Sequence, residues 1–163
     1  MYNGSFSSNE SALDFTSSDR LFSDRFVSSS AILSMLLEVS GYPKPGNVSR
    51  AHDFSDTAFE HFLYSAAFMP FVFQDAFFSR KTLGSLLYDS VYLNSFRFGG
   101  NTHFGTFLLL IPLCMAAGTI EKGENFSEEE INPEKIKSEI VVRAHNICKN
   151  TTSDDAVCFY KSF

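Results

Sequence analysis

The chain has 163 residues, of which 44% are hydrophobic, so it is long enough for one domain with a substantial core. Its formal net charge of -6 argues against non-specific nucleic-acid binding, because neutralising phosphates requires clustered Lys and Arg. The three cysteines are odd in number and lack CxxC spacing, so we expect neither a disulfide framework nor a zinc site, and a reduced, cytoplasmic setting.

The N-terminal part of the chain divides into a polar segment and a helical one. Residues 1–19 are rich in Ser, Asn and Asp, and we interpret them as a flexible tail ahead of a helical domain that spans 20–163. The helical pattern begins at Arg20 and ends at Gly41. The predicted apolar face of this helix consists of Leu21, Phe22, Phe26, Leu33, Leu36 and Leu37.

Two further helices are predicted in the middle of the chain. The first begins near Ser55 or Asp56, both good N-caps. Its apolar stripe is Phe59, Phe62, Leu63 and Ala66. Pro70 opens the next helical segment, because proline is tolerated in a first turn.

A long apolar helix follows a stripe of Leu83, Leu86, Leu87 and Val91. The glycines at 99–100 end that stripe, and Asn101 or Thr102 caps the apolar helix, in which Cys114 is expected to be buried. The segment 104–120 is short for a membrane span and contains Pro112, so we predict a core helix and no membrane association.

The C-terminal part predicts two more helices and completes the fold class. The first is amphipathic, with Ile136, Ile140, Val141 and Ala144, and the second starts at Thr152 or Ser153. No segment shows the period-two pattern of a strand. We therefore predict an all-α, bundle-like single domain. Because the chain stops at 161–163 inside a predicted helix, we interpret it as an incomplete part of a larger all-helical fold.

The loop Pro43-Lys44-Pro45-Gly46-Asn47 is the most unusual local sequence. Two prolines fix φ around Lys44, and Gly46 permits a sharp turn or a close approach of backbone to a ligand. Lys44 and the nearby Arg50 suit phosphate, and Asp53 suits Mg²⁺. A rigid turn with solvated charges explains the composition equally well.

A second loop, Asn101-Thr102-His103-Phe104-Gly105, follows the glycines at 99–100. A helix start with unpaired N–H groups favours anions, and Asn101 and Thr102 can cap the helix or contact a ribose. His103 can donate to a phosphate or accept a proton near pH 7. A Gly-rich turn with a polar cap is the alternative interpretation.

Glu38 stands in an otherwise apolar segment, 32–39, just ahead of the proline loop. A carboxylate at this place suits a general base. A solvated helix face explains it as well, so the residue alone does not decide between the two.

These residues carry a resemblance to a known family. The run from Leu37 to Val48, with its glutamate and Pro-Lys-Pro-Gly loop, resembles the signature of the triphosphoribosyl-dephospho-CoA synthase family. The segment 50–54 resembles its archaeal-type branch, and residues 101–105 resemble its Asn-Thr-His-Lys-Gly motif. The resemblance extends from about residue 31 to the C-terminus, in the order that the family has.

The resemblance implies a cytoplasmic, all-helical pentosyltransferase that uses ATP as a substrate, with Mg²⁺, and a dephospho-CoA-like acceptor. The acceptor's 2'-hydroxyl attacks C1' of the ATP ribose and adenine leaves. Glu38 or Asp53 would stabilise the transition state or remove the proton, with His103 as a further catalytic candidate. Predicted nucleotide-binding residues are Lys44, Pro45, Gly46, Asn47, Arg50, Asn101 and Thr102. Asp53 is the predicted metal ligand.

Two departures from the family pattern bear on activity. Phe104 replaces the lysine of the family's second motif, and the chain ends before the family's later motifs. A second chain that supplies the missing half is therefore one expectation. The alternatives are a non-catalytic nucleotide- or CoA-binding module and a helical protein-interaction domain.

Overall fold

The computed structural model describes residues 22–98, 102–123 and 132–162, and within these ranges the chain forms seven helices and no strand. The helices are α1 Asp24–Ser40, α2 Phe59–Ala67, α3 Pro70–Phe77, α4 Leu83–Phe98, α5 Phe104–Gly123, α6 Pro133–Lys149 and α7 Ser153–Tyr160. The prediction of an all-α single domain is confirmed. The predicted tail, 1–19, lies outside the described residues.

Helix α5 is the centre of the fold and packs against α1, α3, α4 and α6. Phe107 and Ile111 on α5 are fully buried, together with Phe73 of α3 and Leu86 of α4. Burying a side chain of this size stabilises the fold by roughly 1.5–3 kcal/mol. The prediction for Cys114 is confirmed, since it is buried and its burial raises the pKa of the thiol to about 12.

By length and composition α5 is apolar enough to cross a membrane, but its packing within the protein supports the predicted core helix. Half of the 18-residue window Phe104–Glu121 is buried inside the protein. Pro112 lies inside the helix, where it removes one backbone N–H donor. The contacts of α5 with four other helices are those of a core element.

The predicted apolar face of α1 is wrong for three of its members, whereas Leu36 packs against the core as predicted and Leu21 lies outside the described residues. Ser28, Ala31, Met35 and Val39 form the buried face, whereas Phe26, Leu33 and Leu37 are all more than half exposed. The physical reason is the close packing of α1 on α3, α2 and α5, which buries a face where the small residues Ser28 and Ala31 alternate with larger apolar ones.

Helix α2 begins later than predicted, at Phe59 instead of near Ser55 or Asp56. Asp53 provides the cap from a distance: its Oδ1 accepts a hydrogen bond from the backbone N–H of Phe59 at 2.8 Å. His61 adds a second cap, since its Nδ1 accepts from the N–H of Ala58 at 3.2 Å. The predicted start at Pro70 for α3 is confirmed.

Helix α4 confirms its predicted stripe, and its first turn is held tightly against α7. Asp155 Oδ1 accepts a hydrogen bond from the N–H of Gly84 at 2.8 Å. A Cβ on Gly84 would lie 2.4 Å from the Cα of Asp155, so only glycine allows this approach. Burial acts to raise the pKa of Asp155, but hydrogen bonds from Thr152, Thr82 and Gly84 outweigh it and hold that pKa at about 2.

The two C-terminal helices are confirmed with two corrections. Val141 is exposed on α6, so it does not belong to the packed face that Ala144 anchors. Helix α7 starts after Thr152, as predicted, but it ends at Tyr160. The prediction that 161–163 lie inside a helix is therefore wrong for Lys161 and Ser162, which form a turn.

Candidate functional site

The proline loop folds back onto the end of α1. Gly46 has a φ of +73°, and the N–H of Asn47 donates to the carbonyl of Lys44 at 3.3 Å, which closes a turn. The loop thereby brings Lys44 to Glu38, with 2.5 Å between Nζ and Oε1. This contact is an ion pair without the angles of a hydrogen bond. The Lys44 side chain is only 20% exposed, so its ammonium is shielded beside the carboxylate.

The remainder of the loop turns towards α2. Ser49 and His52 exchange backbone hydrogen bonds of 2.9 and 3.1 Å in an isolated bridge. Arg50 sits at the tip of this bridge and is exposed. Asp53 follows it and is committed through Oδ1 to the start of α2.

The second loop is held in place by a hydrogen bond from α4. Asn94, which is fully buried, donates from Nδ2 to the carbonyl of Thr102 at 2.9 Å. His103 follows with a φ of +63°, a left-handed conformation that is uncommon for a residue other than glycine. Its carbonyl accepts the N–H of Phe107 at 2.9 Å, so His103 is the residue that caps α5, and not Asn101 or Thr102 as predicted.

The His103 ring is buried between α2 and α5. Its Nδ1 lies 3.0 Å from Oγ of Ser65, and Phe62 packs edge-on against it with 4.9 Å between ring centroids. Burial lowers the pKa of His103 to about 4. The Glu38 carboxylate and the Met35 carbonyl act in the opposite direction, and the Lys44 ammonium lowers the pKa further. The two loops therefore meet at this ring.

Three buried side-chain atoms lack a hydrogen-bond partner among the described residues: Asn94 Oδ1, Thr102 Oγ1 and His103 Nε2. A fourth, Lys44 Nζ, is ion-paired with the Glu38 carboxylate and makes no other polar contact there. Buried polar groups in folded proteins are normally satisfied, so each exception requires an explanation. All four belong to the two loops or to the residue that holds the second loop. Such a grouping of buried polar atoms in one region is expected of a site that binds a polar ligand.

The structure thus brings together part of the predicted set. Glu38, Lys44 and His103 converge, and Thr102 lies beside them, although its predicted capping role is wrong because its hydroxyl has no partner. Pro45, Gly46 and Asn47 form the exposed turn that positions Lys44. Asn101 and the glycines at 99–100 lie outside the described residues.

Sequence reasoning missed Ser65 and Asn94. Both are fully buried, and both interrupt apolar stripes that were recognised. Asn94 lies three residues after Val91 on α4, and Ser65 lies three residues after Phe62 on α2, which are core-facing spacings. A polar residue at a core position was the signal that could have identified them.

A separate cavity of about 630 Å³ lies between α5, α6 and α7, away from both loops. Its polar lining includes Glu139 and Arg143, which form an ion pair with 2.6 Å between Oε1 and Nε. Its lining contains none of the four buried polar atoms at the loops, so the loop site remains the candidate functional site.

The observations describe a helical protein with a partly buried, charged site between α1 and the start of α5. The family model CitG, described as ATP:dephospho-CoA triphosphoribosyl transferase, matches residues 24–163, and the chain belongs to this family. No curated protein and no solved structure matches significantly. The family prediction is confirmed, while the archaeal-type branch stays a prediction.

Proposed function

We propose that the chain binds ATP between the two loops and transfers its triphosphoribosyl group to dephospho-CoA or a similar acceptor. The acceptor's 2'-hydroxyl forms a bond to C1' of the ATP ribose while the bond from C1' to adenine breaks. The hydroxyl proton leaves, adenine takes up a proton as it departs, and the triphosphate stays on the ribose. We place the reaction in the cytoplasm.

The observation that carries this proposal is the concentration, around the two loops, of three buried polar atoms without a hydrogen-bond partner and the ion-paired Lys44 ammonium. Lys44 would contact the triphosphate, and the exposed Arg50 would hold one of its phosphates bidentately. Thr102 and Asn94 would satisfy their oxygens on ligand N–H or O–H groups. An apo protein that leaves such groups buried and unpaired has stability to gain from a ligand.

Glu38 is the proposed catalytic carboxylate. Displacement at an anomeric carbon develops oxocarbenium character, which a carboxylate within the site stabilises. When phosphate draws Lys44 away, Glu38 also becomes available to accept the acceptor's proton. Asp53 has one oxygen engaged at the start of α2, so its catalytic and metal-binding roles stay predictions.

In this proposal Mg²⁺ binds to the protein together with ATP, as the ATP–Mg²⁺ complex. The described residues contain no group of three or more His, Cys, Asp or Glu that could hold a metal ion. An Mg²⁺ that travels on the triphosphate needs few protein ligands, and Asp53 Oδ2 could supply one oxygen.

One surface feature favours a second candidate, in which the chain works with a partner chain. Phe26, Leu33 and Leu37 are exposed at spacings of seven and four residues, which places them on one side of α1. This is the same helix that carries Glu38. A partner seated there would lie next to the site and could complete it.

Adenine release tests the proposal directly. The protein is incubated with ATP, Mg²⁺ and dephospho-CoA, and free adenine is quantified by chromatography against a Glu38→Gln control. Adenine in wild-type samples, and far less in the control, is the expected result. Thermal stabilisation by ATP–Mg²⁺ without adenine favours the non-catalytic binding module. If the protein neither releases adenine nor is stabilised by ATP–Mg²⁺, the result favours the helical protein-interaction domain.

A further inference from the structure

Ser65 contacts His103 at the centre of the site, yet it belongs to neither motif. Its Oγ lies 3.0 Å from Nδ1 of His103, and both side chains are buried. The contact joins positions 38 residues apart, from α2 to the start of α5. The direction of this hydrogen bond decides which nitrogen of the neutral ring carries the proton.

The surroundings of Ser65 favour donation from the hydroxyl to the ring. Ser90, an equally buried serine on α4, donates its proton to the Leu86 carbonyl at 2.7 Å. Ser65 makes no such bond to its own helix, and Nδ1 of His103 is its partner among the described residues. If His103 donated instead, the Ser65 proton would be buried without an acceptor, which is costly.

The electrostatic surroundings of the ring support the same tautomer. Burial lowers the pKa of His103, but among its neighbours the Glu38 carboxylate and the Met35 carbonyl raise it more than the Lys44 ammonium lowers it, so the net potential at the ring is negative. Such potential favours a proton on Nε2 over a lone pair there. Nε2 is shielded and makes no hydrogen bond within the described residues. The ring therefore holds an N–H group for which the described residues supply no acceptor in full hydrogen-bonding geometry, although the Met35 carbonyl acts on the ring.

We propose that Ser65 is a positioning residue that fixes His103 as the Nε2–H tautomer, and that His103 presents this N–H to an oxygen atom of the bound nucleotide. The identity of the ligand rests on the proposed function. His103 then acts as a neutral hydrogen-bond donor, and the proton transfers of the reaction fall to other groups. Its low pKa agrees with this, since the ring is neutral at pH 7.

The tautomer is measured without ligand or activity. ¹⁵N–¹H correlation spectra of the histidine rings at pH 7 are recorded for wild type, and His103 is assigned by comparison with His103→Asn. A protonated Nε2 with an unprotonated Nδ1 is the expected pattern. A protonated Nδ1, or protons on both nitrogens, would overturn the assignment, whatever becomes of the proposed reaction.

Variants then separate positioning from packing. Ser65→Ala should give a mixture of tautomers, and Ser65→Cys, which keeps a weaker donor, should lie between it and wild type. Ser90→Ala removes a buried hydroxyl of the same exposure elsewhere and should leave the His103 spectrum unchanged. Equal spectra for Ser65→Ala and wild type would show that Ser65 does not set the tautomer. The wild-type spectrum remains decisive if Ser65→Ala fails to fold.

Titration with ATP–Mg²⁺ tests the donor role. Binding should move the Nε2–H resonance of wild type, and Ser65→Ala should bind on the order of tenfold more weakly, as for loss of one oriented hydrogen bond. Binding that leaves this resonance in place would overturn the donor role alone. Absence of ATP binding would overturn both the proposed function and the donor role. The tautomer of His103 would still be determined by the ring spectrum of the free protein.

Discussion

Lys44 Nζ lies 2.5 Å from Glu38 Oε1, so the cation of the proline loop and the carboxylate that precedes the loop are paired before any ligand arrives. A triphosphate must therefore compete with Glu38 for this ammonium or share it. The pair holds the Lys44 side chain in a shielded position in the absence of ligand. Binding of phosphate and release of the Glu38 carboxylate become linked events.

Replacing Lys44 should weaken nucleotide binding. We expect Lys44→Met to raise the Kd for ATP–Mg²⁺ by about tenfold or more, because a charge-assisted contact to phosphate is lost. Isothermal titration calorimetry measures the change. The matched control is Lys137→Met, which removes a lysine from an exposed ion pair with Glu134 on α6 and should leave Kd unchanged. Equal affinities for both variants would rule out the phosphate role.

Thr102→Val should separate stability from binding. The Thr102 hydroxyl is buried and unpartnered, so the isosteric valine relieves a desolvation penalty of about 1 kcal/mol or more. We expect an unchanged or higher Tm together with weaker ATP binding. Thr119→Val is the counterpart: its hydroxyl donates to the Ala116 carbonyl at 2.7 Å, so that variant should lose about 1 kcal/mol and keep its affinity. If Thr102→Val and Thr119→Val were destabilised to the same extent, the Thr102 hydroxyl would have a hydrogen-bond partner in the folded protein.

His103 should make the fold sensitive to mild acid. Its pKa is about 4 in the folded protein against an ordinary value of 6.5, so the unfolded chain takes up the proton first as the pH falls. Stability should be full above about pH 6.5 and decline by about 3 kcal/mol towards pH 4. Urea denaturation at pH 7 and 4.5 measures this loss.

His103→Asn tests the source of that pH dependence. Asparagine does not titrate and tolerates the positive φ of this position, so the variant's stability should vary less between pH 7 and 4.5. His145→Asn, on the exposed side of α6, should follow the wild-type curve. A wild-type slope that persists in His103→Asn would assign the effect to other groups.

Asp155 should stabilise the contact of α7 with α4 in a second, more acidic range. Its folded pKa of about 2 lies below the ordinary 3.8, so its contribution is complete above about pH 4 and is lost as the pH falls towards 2. At pH 7 we expect Asp155→Ala to cost about 2–3 kcal/mol, and the difference from wild type should narrow below pH 3. Chemical denaturation measures both effects, with Asp154→Ala at an exposed position as the control. If the stability lost in Asp155→Ala did not vary with pH, the loss would come from packing and not from the carboxylate charge.

The helices were largely predictable from local signals, and the faces that they bury were not. Pro70 and Thr152 mark helix starts by their own backbone chemistry, which needs no tertiary information. On α1, Phe26 and Leu33 are as apolar as Met35, so composition does not tell which side meets α3. The start of α2 depends on Asp53 reaching a backbone N–H six residues away, which no cap pattern anticipates.

The candidate site was predictable as two loops and not as one cluster. Local sequence singled out Glu38, Lys44 and His103, and resemblance to the family favoured their functional interpretation over the structural one. Ser65 and Asn94 carry no motif, and their importance lies in contacts across 38 and 8 residues of sequence. Only packing shows that these polar side chains serve the second loop.

The buried start of α5 has a consequence for folding kinetics. The site draws on the end of α1, on α2, on α4 and on the residues ahead of α5, so no short stretch of the chain contains it. Closing such distant contacts is a late and slow event compared with forming the helices themselves. A refolding chain should therefore regain helical circular dichroism well before it regains nucleotide affinity, and affinity would report on the last docking step.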